Sequence, residues 1–465
     1  MRLTSGPITP ALIRLAWPVF VSRALHTLYG TADTAWVGRL GPEAIAAVST
    51  SFFASWMLLA VGDVLIAGVT ALVSQAVGAR RDHDASVTTR TALLLATLLG
   101  IVVAAIGWWG SPILFRFLFH DAAIVAMGGE YLRLFCLLAP VFYVGFVLEA
   151  VYRACGDSRT PLIAVAIGTF LNVALDPFLI LGIGPFPEWG VAGAAAATIV
   201  AEVVVLVVYA VLFARGTFPL RLRDARTSWS RSDALDILRI GTPHALVGVL
   251  FSVVYLFLAR ITGSFGAAAA AALGVVNRLE SLNYLTSTAV GLGVATLVGQ
   301  NLGAGRIDRS EASAHRGAAL ITISTGFVTI VFLVFAEPIA RIFTSDPAAV
   351  RESTTFLRIV ALSQVFMGWE IVYGHAFTGA GNTLPPMYVS TITSVLRIPL
   401  AWWSQVSGIG TVGIWWTISL TGIVRGIVLP AWFRLGRWKR TDLARRAGEF
   451  ARASIAPMGP DSPDG

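Results

Sequence analysis

Twelve apolar stretches of membrane-spanning length divide the chain, at about 12–37, 50–77, 91–111, 131–153, 161–183, 191–213, 241–262, 273–301, 317–336, 356–378, 387–407 and 411–433. Each ends in Gly, Pro or charged residues. A helix needs about 20 apolar residues to cross a hydrocarbon core, where every backbone N–H and C=O must find its partner inside the protein. Only helices and closed barrels meet that condition, and runs of this length specify helices. The sequence therefore predicts an all-α polytopic membrane protein with twelve transmembrane helices.

Composition excludes the soluble alternatives. Of 465 residues, 56% are hydrophobic and 13% charged, against about 25% charged in ordinary soluble domains. No segment long enough for a soluble domain is free of a membrane-length run, which rules out an enzyme on a single anchor. The first span contains Arg14 and Arg23 and has no small-residue cleavage site, so it is not read as a removable signal peptide. Cys136 and Cys155 have no CxxC spacing, and His26, His244 and His375 each stand alone, so neither a disulfide nor a metal site is expected.

The net charge of +8 is carried by arginine, Lys439 being the one lysine. Its clusters at Arg80 and Arg81, Arg215 to Arg239, Arg306 and Arg309, and Arg434 to Arg446 fall in loops and the tail, where they fit membrane orientation better than nucleic-acid binding. Their bias supports an orientation with both termini in the cytoplasm, and the expected location is the cell (inner) membrane.

The second half repeats the first at a constant shift of 225 residues. Pro18 matches Pro243, Gly41 matches Gly266, Gln75 matches Gln300, Asp121 matches Asp346, Arg133 matches Arg358, Gly156 matches Gly381 and Pro161 matches Pro386. LVSQAVGA at 72–79 answers LVGQNLGA at 297–304. With six spans per copy, both copies enter the membrane from the same side, so the repeats are parallel, an arrangement typical of transporters. The expected organisation is an N-terminal six-helix lobe at 1–213, a cytoplasmic linker at 214–240, a C-terminal six-helix lobe at 241–434 and a cytoplasmic, disordered tail at 435–465.

The text resembles the multidrug and toxic compound extrusion (MATE) family of cation-coupled exporters from about residue 8 to 435. The resemblance rests on LAWPVF at 15–20, DTAWVGRLGPEAIAA at 33–47, the twin LVSQAVGAR and LVGQNLGAG segments, RACGDSRTP at 153–161, NRLESL at 277–282 and TGAGNTLPP at 378–386. The DinF-like prokaryotic branch carries an Asp in its first span and Asn-x3-Asp in its fifth, which Asp33 and Asn172-x3-Asp176 reproduce here. The resemblance further implies a cluster Thr in the sixth span, Thr198, and a first-span proline that bends its helix, Pro18. The NorM-like branch places acids in the seventh and tenth spans instead, and this chain meets that pattern only with Glu370.

Seven carboxylates lie inside spans: Asp33, Asp63, Glu149, Asp176 and Glu202 in the first half, Glu280 and Glu370 in the second. Each costs about 2.5–3.5 kcal/mol at the bilayer centre, so each needs a reason. Asn172 and Asp176, four residues apart, share a helix face and can address one ion. Pro177 cannot donate to the Val173 carbonyl and helps free that oxygen. Across the repeat, Asp33, Asn172 and Asp176 meet Leu258, Arg397 and Ala401, which confines cation chemistry to one lobe. Asp33, Asn172, Asp176 and Thr198 are the candidate cation-coupling residues; Asp63, Glu149, Glu202, Glu280 and Glu370 are candidates for substrate contact or gating. Trp402, Trp403, Trp415, Trp416 and Trp438 fit an interfacial belt.

No P-loop, GxSxG or HExxH occurs, so neither ATP nor intramembrane hydrolysis is expected. The resemblance implies a monomeric, non-enzymatic antiporter without cofactor that sits among membrane lipids. It exports small organic cations in exchange for H+ or Na+ as two bundles alternate between outward-open and inward-open states. A lipid-linked oligosaccharide flippase of the same wider superfamily and a passive channel are the alternatives. The first calls for a cationic cavity, and the second has no need of titratable acids in one lobe.

Overall fold

A computed structural model of the chain describes residues 3–119, 121–220, 222 and 229–440. Most of the tail, 441–465, lies outside the described residues. The described residues form α-helices with two short 3-10 turns and no strand. The helices are α1 (Ile8–Val37), α2 (Pro42–Gly78), α3 (Asp82–Leu118), α4 (Ala122–Leu137), α5 (Ala139–Ala154), α6 (Arg159–Leu181), α7 (Gly190–Ala214), α8 (Arg231–Gly263), α9 (Ala267–Gly303), α10 (Ile307–Val334), α11 (Ala336–Phe343), α12 (Pro347–Ala361), α13 (Gln364–Gly379), α14 (Leu384–Val406) and α15 (Thr411–Arg434).

Among these, nine are long and apolar enough to cross a membrane alone, and two bent pairs bring the number to eleven. The twelfth predicted span is α14. Its polar face, with Ser390, Thr393, Ser394, Arg397 and Ser404 buried against neighbouring helices, lowers its average hydropathy without exposing that polarity. The spans predicted at 131–153 and 356–378 are not single helices. The α4–α5 pair bends by 45° and the α12–α13 pair by 53°. Pro140 interrupts the first pair because it has no N–H to continue the ladder. At the second break Ser363 Oγ and Gln364 Nε2 donate to the Val360 carbonyl at 2.8 and 3.2 Å, so side chains satisfy what the ladder gives up. Pro18 produces no such break, and α1 runs on through it as one helix.

The 225-residue shift is carried into the helices. Both ends of α2 and α9, and both ends of α6 and α14, match at that spacing. Asp121 and Asp346 are equivalent N-caps: each carboxylate accepts from the backbone N–H groups two and three residues on. The copies differ in their third span, where α3 is continuous but α10 stops before α11; Pro338 cannot donate to the Val334 carbonyl.

Large apolar side chains face outward, among them Ile106, Phe117, Phe170, Ile323 and Phe327. The interior combines buried alanines and polar side chains with clusters of Leu, Val and aromatic residues. Of the tryptophans expected in an interfacial belt, Trp402 and Trp403 are exposed. Trp415 and Trp438 are instead fully buried: Trp415 stacks on Phe356 at 4.0 Å and donates its indole N–H to Glu352, and Trp438 stacks on Phe433 at 4.5 Å. Gly266 and Gly274 have no neighbour within van der Waals reach of an added Cβ.

The halves interlock through their leading helices. Leu3 together with Leu12, Leu15 and Ala16 of α1 joins a core otherwise built from the second half, and Ile237 of α8 joins a core built from the first. At the ends of α2 and α9 the interlock becomes reciprocal. Gln75 Nε2 donates to the Gly379 carbonyl at 3.0 Å, and its repeat mate Gln300 donates to the Ala154 carbonyl at 2.7 Å. The two acceptors are themselves repeat mates at the ends of α13 and α5.

Gly78 and Gly303 make this crossing possible. A Cβ on Gly78 would overlap the Gln300 carbonyl, and one on Gly303 the Gln75 carbonyl. Alanine at each is expected to cost about 1–3 kcal/mol, read as a lower apparent melting temperature of the purified protein. An unchanged melting temperature in the double variant would show that the helices do not meet there.

Candidate functional site

α1 packs against α6, and α6 against α7. Asp33 comes from the end of α1, Asn172 and Asp176 from one face of α6, and Thr198 from α7. All four are buried. The Asp33 carboxyl is close enough to Asp176 and Asn172 to interact with both. Yet Asp33 Oδ1, Asn172 Oδ1 and Nδ2, and both carboxyl oxygens of Asp176 are enclosed without a well-formed hydrogen bond. Buried polar atoms are rarely left in that condition.

Thr198 is held differently. Its hydroxyl donates to the Ala194 carbonyl at 3.0 Å and accepts from Tyr29 Oη at 2.8 Å, tying α1 to α7 beside the acids. Tyr29 escapes the sequence argument, although it sits four residues before Asp33 and so on the same helix face. Tyr131 of α4 also stands within electrostatic range of Asp33 and Asp176.

The remaining first-half acids form a separate group. Asp63 on α2 lies within electrostatic range of His244, Arg23 and Arg153. Glu149 is ion-paired with Arg153 one turn along α5, with Arg23 and His26 nearby. Arg23 therefore sits among these residues and not beside Asp33. Glu202 on α7 is half-buried and neighbours Glu149 and Tyr29. His244 and His375, far apart in sequence, meet edge-to-face at 5.9 Å across α8 and α13. No group of three metal-ligating side chains forms among the described residues.

In the second half both acids have protein partners. Glu280 accepts from Gln364 Nε2 at 2.8 Å, and Gln364 in turn accepts from Asn283 Nδ2 at 2.7 Å. Glu370 is ion-paired with Arg425 at 2.9 Å, joining α13 to α15. Among the described residues, the Asp33, Asn172 and Asp176 group is therefore where buried carboxyl oxygens lack a well-formed hydrogen bond. Two carboxyls and an amide oxygen are hard donors suited to a proton or a hard cation. Two neighbouring carboxylates in a dry site cannot both ionise cheaply without a proton or cation between them.

The MatE family model matches the chain twice, over residues 18–178 and 243–403. Each bound of the second match lies 225 residues after its counterpart, the shift of the internal repeat. The chain belongs to the MATE family of transporters. "Probable multidrug resistance protein NorM" of Thermotoga maritima is 30% identical over 442 residues, covering 94% of this chain and 95% of that protein. A protein of Shewanella oneidensis named "FAD transporter" is 25% identical, covering 91% and 94%.

A MATE crystal structure in the bent conformation superposes with a TM-score of 0.88 at 24% identity, covering 96% of this chain and 98% of that one. One in the straight conformation gives 0.86 at 25%, covering 94% and 98%. The fold is accordingly that of these transporters, a multi-pass membrane protein of twelve transmembrane helices in two six-helix bundles.

Proposed function

We propose that this MATE transporter is a secondary active exporter that moves small organic cations out of the cell in exchange for H+ or Na+. The observation that carries the reading is the group of unpartnered polar atoms on Asp33, Asn172 and Asp176. The names of the relatives, multidrug resistance proteins among them, support the substrate class. An ion entering the group neutralises the carboxyls and changes how α1 meets α6, which lowers affinity for a cationic substrate in the same bundle. Linkage makes the effect reciprocal: the factor the ion imposes on substrate affinity, the substrate imposes on the ion.

Alternating access then requires the two bundles to separate at one end and close at the other. The Gln75 and Gln300 crossing supplies a closure that can open as a unit, because each half contributes the same donor to the same acceptor of the other. In this scheme the protein acts as a monomer in the cell (inner) membrane, with both termini and the 214–240 linker in the cytoplasm, and needs neither ATP nor cofactor. The 1–213 and 241–434 lobes are its moving parts. Thr198 and Tyr29 hold α7 to α1 through the motion, while Asp63, Glu149 and Glu202 line the approach between the lobes.

Vesicles holding the purified protein test the reading. An imposed pH or Na+ gradient is expected to drive uphill movement of an ethidium-like dye, and the dye to drive counter-movement of the ion. Gradient-independent, downhill flux would mark a channel, and movement of lipid-linked oligosaccharide without dye transport would mark a flippase. Topology has its own check. In a background lacking Cys136 and Cys155, a cysteine at Ser228 is expected to label only from the inner side; labelling in intact cells would reverse the orientation.

A further inference from the structure

We propose that the foot of α15 is a binding site for an anionic phospholipid, whose phosphate rests on Arg434 and Arg437 while one acyl chain lies along the outer face of the helix. The site goes beyond the exporter reading and uses none of the buried acids.

The apolar half of the site is a stripe. Leu420, Val424, Ile427 and Ala431 of α15 and Leu435 at its cap follow one another at spacings of four, three, four and four, so they share one helix face. All five are exposed, Leu435 at 71%. Arg434, three residues after Ala431 and seven after Ile427, closes the stripe on the same face. A lipid chain laid against those side chains therefore brings its headgroup to the level of Arg434.

The polar half is held on a fixed backbone. Gly436, at φ +72°, turns the chain into the 3-10 turn Arg437–Arg440. Trp438 within that turn is fully buried against Phe433 and donates its indole N–H to the Phe433 carbonyl at 2.8 Å. That anchor leaves Arg434, Leu435, Gly436, Arg437 and Lys439 lining a cavity of about 400 Å³.

Charge in the cavity is unbalanced. Lys439 is ion-paired with Glu311 of α10, and His315 stands 3.9 Å from the same carboxylate. Arg434 and Arg437 are exposed and, among the described residues, have neither an ion pair nor a side-chain hydrogen bond. Three cations thus share one carboxylate. Phosphate oxygens match the guanidinium fork, and basic side chains at the end of a membrane helix favour a headgroup with net negative charge.

The test is native mass spectrometry of the purified, delipidated full-length protein, reading the affinity of the first lipid bound. Phosphatidylglycerol is expected to bind severalfold more tightly than phosphatidylcholine, which carries the same phosphate in a zwitterionic headgroup. Arg434→Gln and Arg437→Gln should each weaken phosphatidylglycerol about fivefold, the worth of one basic side chain at an anionic lipid surface. Both residues are exposed, so the fold is kept. Arg351→Gln, at an exposed arginine of α12, should change nothing. Excess inorganic phosphate should not displace the lipid, because it has no chain to lay on the stripe.

Equal affinity for the two lipids, no binding of phosphatidylglycerol to the wild type, unchanged binding in both arginine variants, or an equal loss in Arg351→Gln would each overturn the site. Displacement by inorganic phosphate would overturn it too, leaving a site for the free anion. The exporter reading does not depend on these outcomes.

Discussion

Asp33→Asn and Asp176→Asn are each expected to abolish uphill dye efflux while leaving the protein folded. The amide keeps the size and hydrogen-bonding shape of the side chain and removes its ability to exchange a proton or balance a cation. The loss is large because of what the ion supplies: the membrane potential contributes about 2.3 kcal/mol per charge per 100 mV, roughly fifty-fold in accumulation for each net charge moved. Vesicles with either variant should equilibrate dye without concentrating it, and their melting temperatures should stay near that of the wild type. Asp63→Asn should do much less, because Asp63 lies within electrostatic range of Arg23, Arg153 and His244. If both Asp33→Asn and Asp176→Asn pump normally under pH and Na+ gradients alike, the coupling site lies elsewhere.

Glu370→Gln is expected to act on stability first. Removing the half-buried Glu370 carboxylate leaves the buried Arg425 uncompensated, at a cost approaching the about 3–5 kcal/mol of a broken buried pair, within electrostatic range of Arg397 and with no carboxylate at ion-pair distance. Glu280→Gln is the matched control. Its amide oxygen can still accept from Gln364, so the loss should be nearer 1 kcal/mol, the scale of a single hydrogen bond. Thermal unfolding of both variants in detergent measures the contrast. Equal melting temperatures would mean that the Glu370 and Arg425 pair does not hold α13 to α15.

How much of this was legible in the sequence depended on the range of the interaction concerned. Apolar run lengths placed the spans because a bilayer sets helix length directly, and the repeat at 225 residues is written in paired residues such as Asp121 and Asp346, whose capping is local. The bends at α4–α5 and α12–α13 were not read from run length, because hydropathy continues across each break; Pro140 marks the first in the sequence, whereas no proline marks the second, which only the backbone shows. Asn172 and Asp176 were readable as one face because four residues make one turn. That Asp33 meets them, that Tyr29 ties into Thr198, and that Glu370 pairs with Arg425 rest on contacts between helices, which periodicity does not encode. The tryptophans make the same point: Trp402 and Trp415 look alike in sequence, yet one faces outward and the other stacks on Phe356.

Ion dependence of substrate binding tests the central claim most directly. Affinity of the purified wild-type protein for a dye cation is to be measured by fluorescence polarisation across a range of pH and, separately, of Na+ concentration. Mutual exclusion at Asp33, Asn172 and Asp176 predicts that affinity falls as the coupling ion, H+ or Na+, becomes more abundant, and that this dependence vanishes in Asp33→Asn and in Asp176→Asn. A wild-type affinity indifferent to both ions, or an ion dependence that persists undiminished in both variants, would contradict the account.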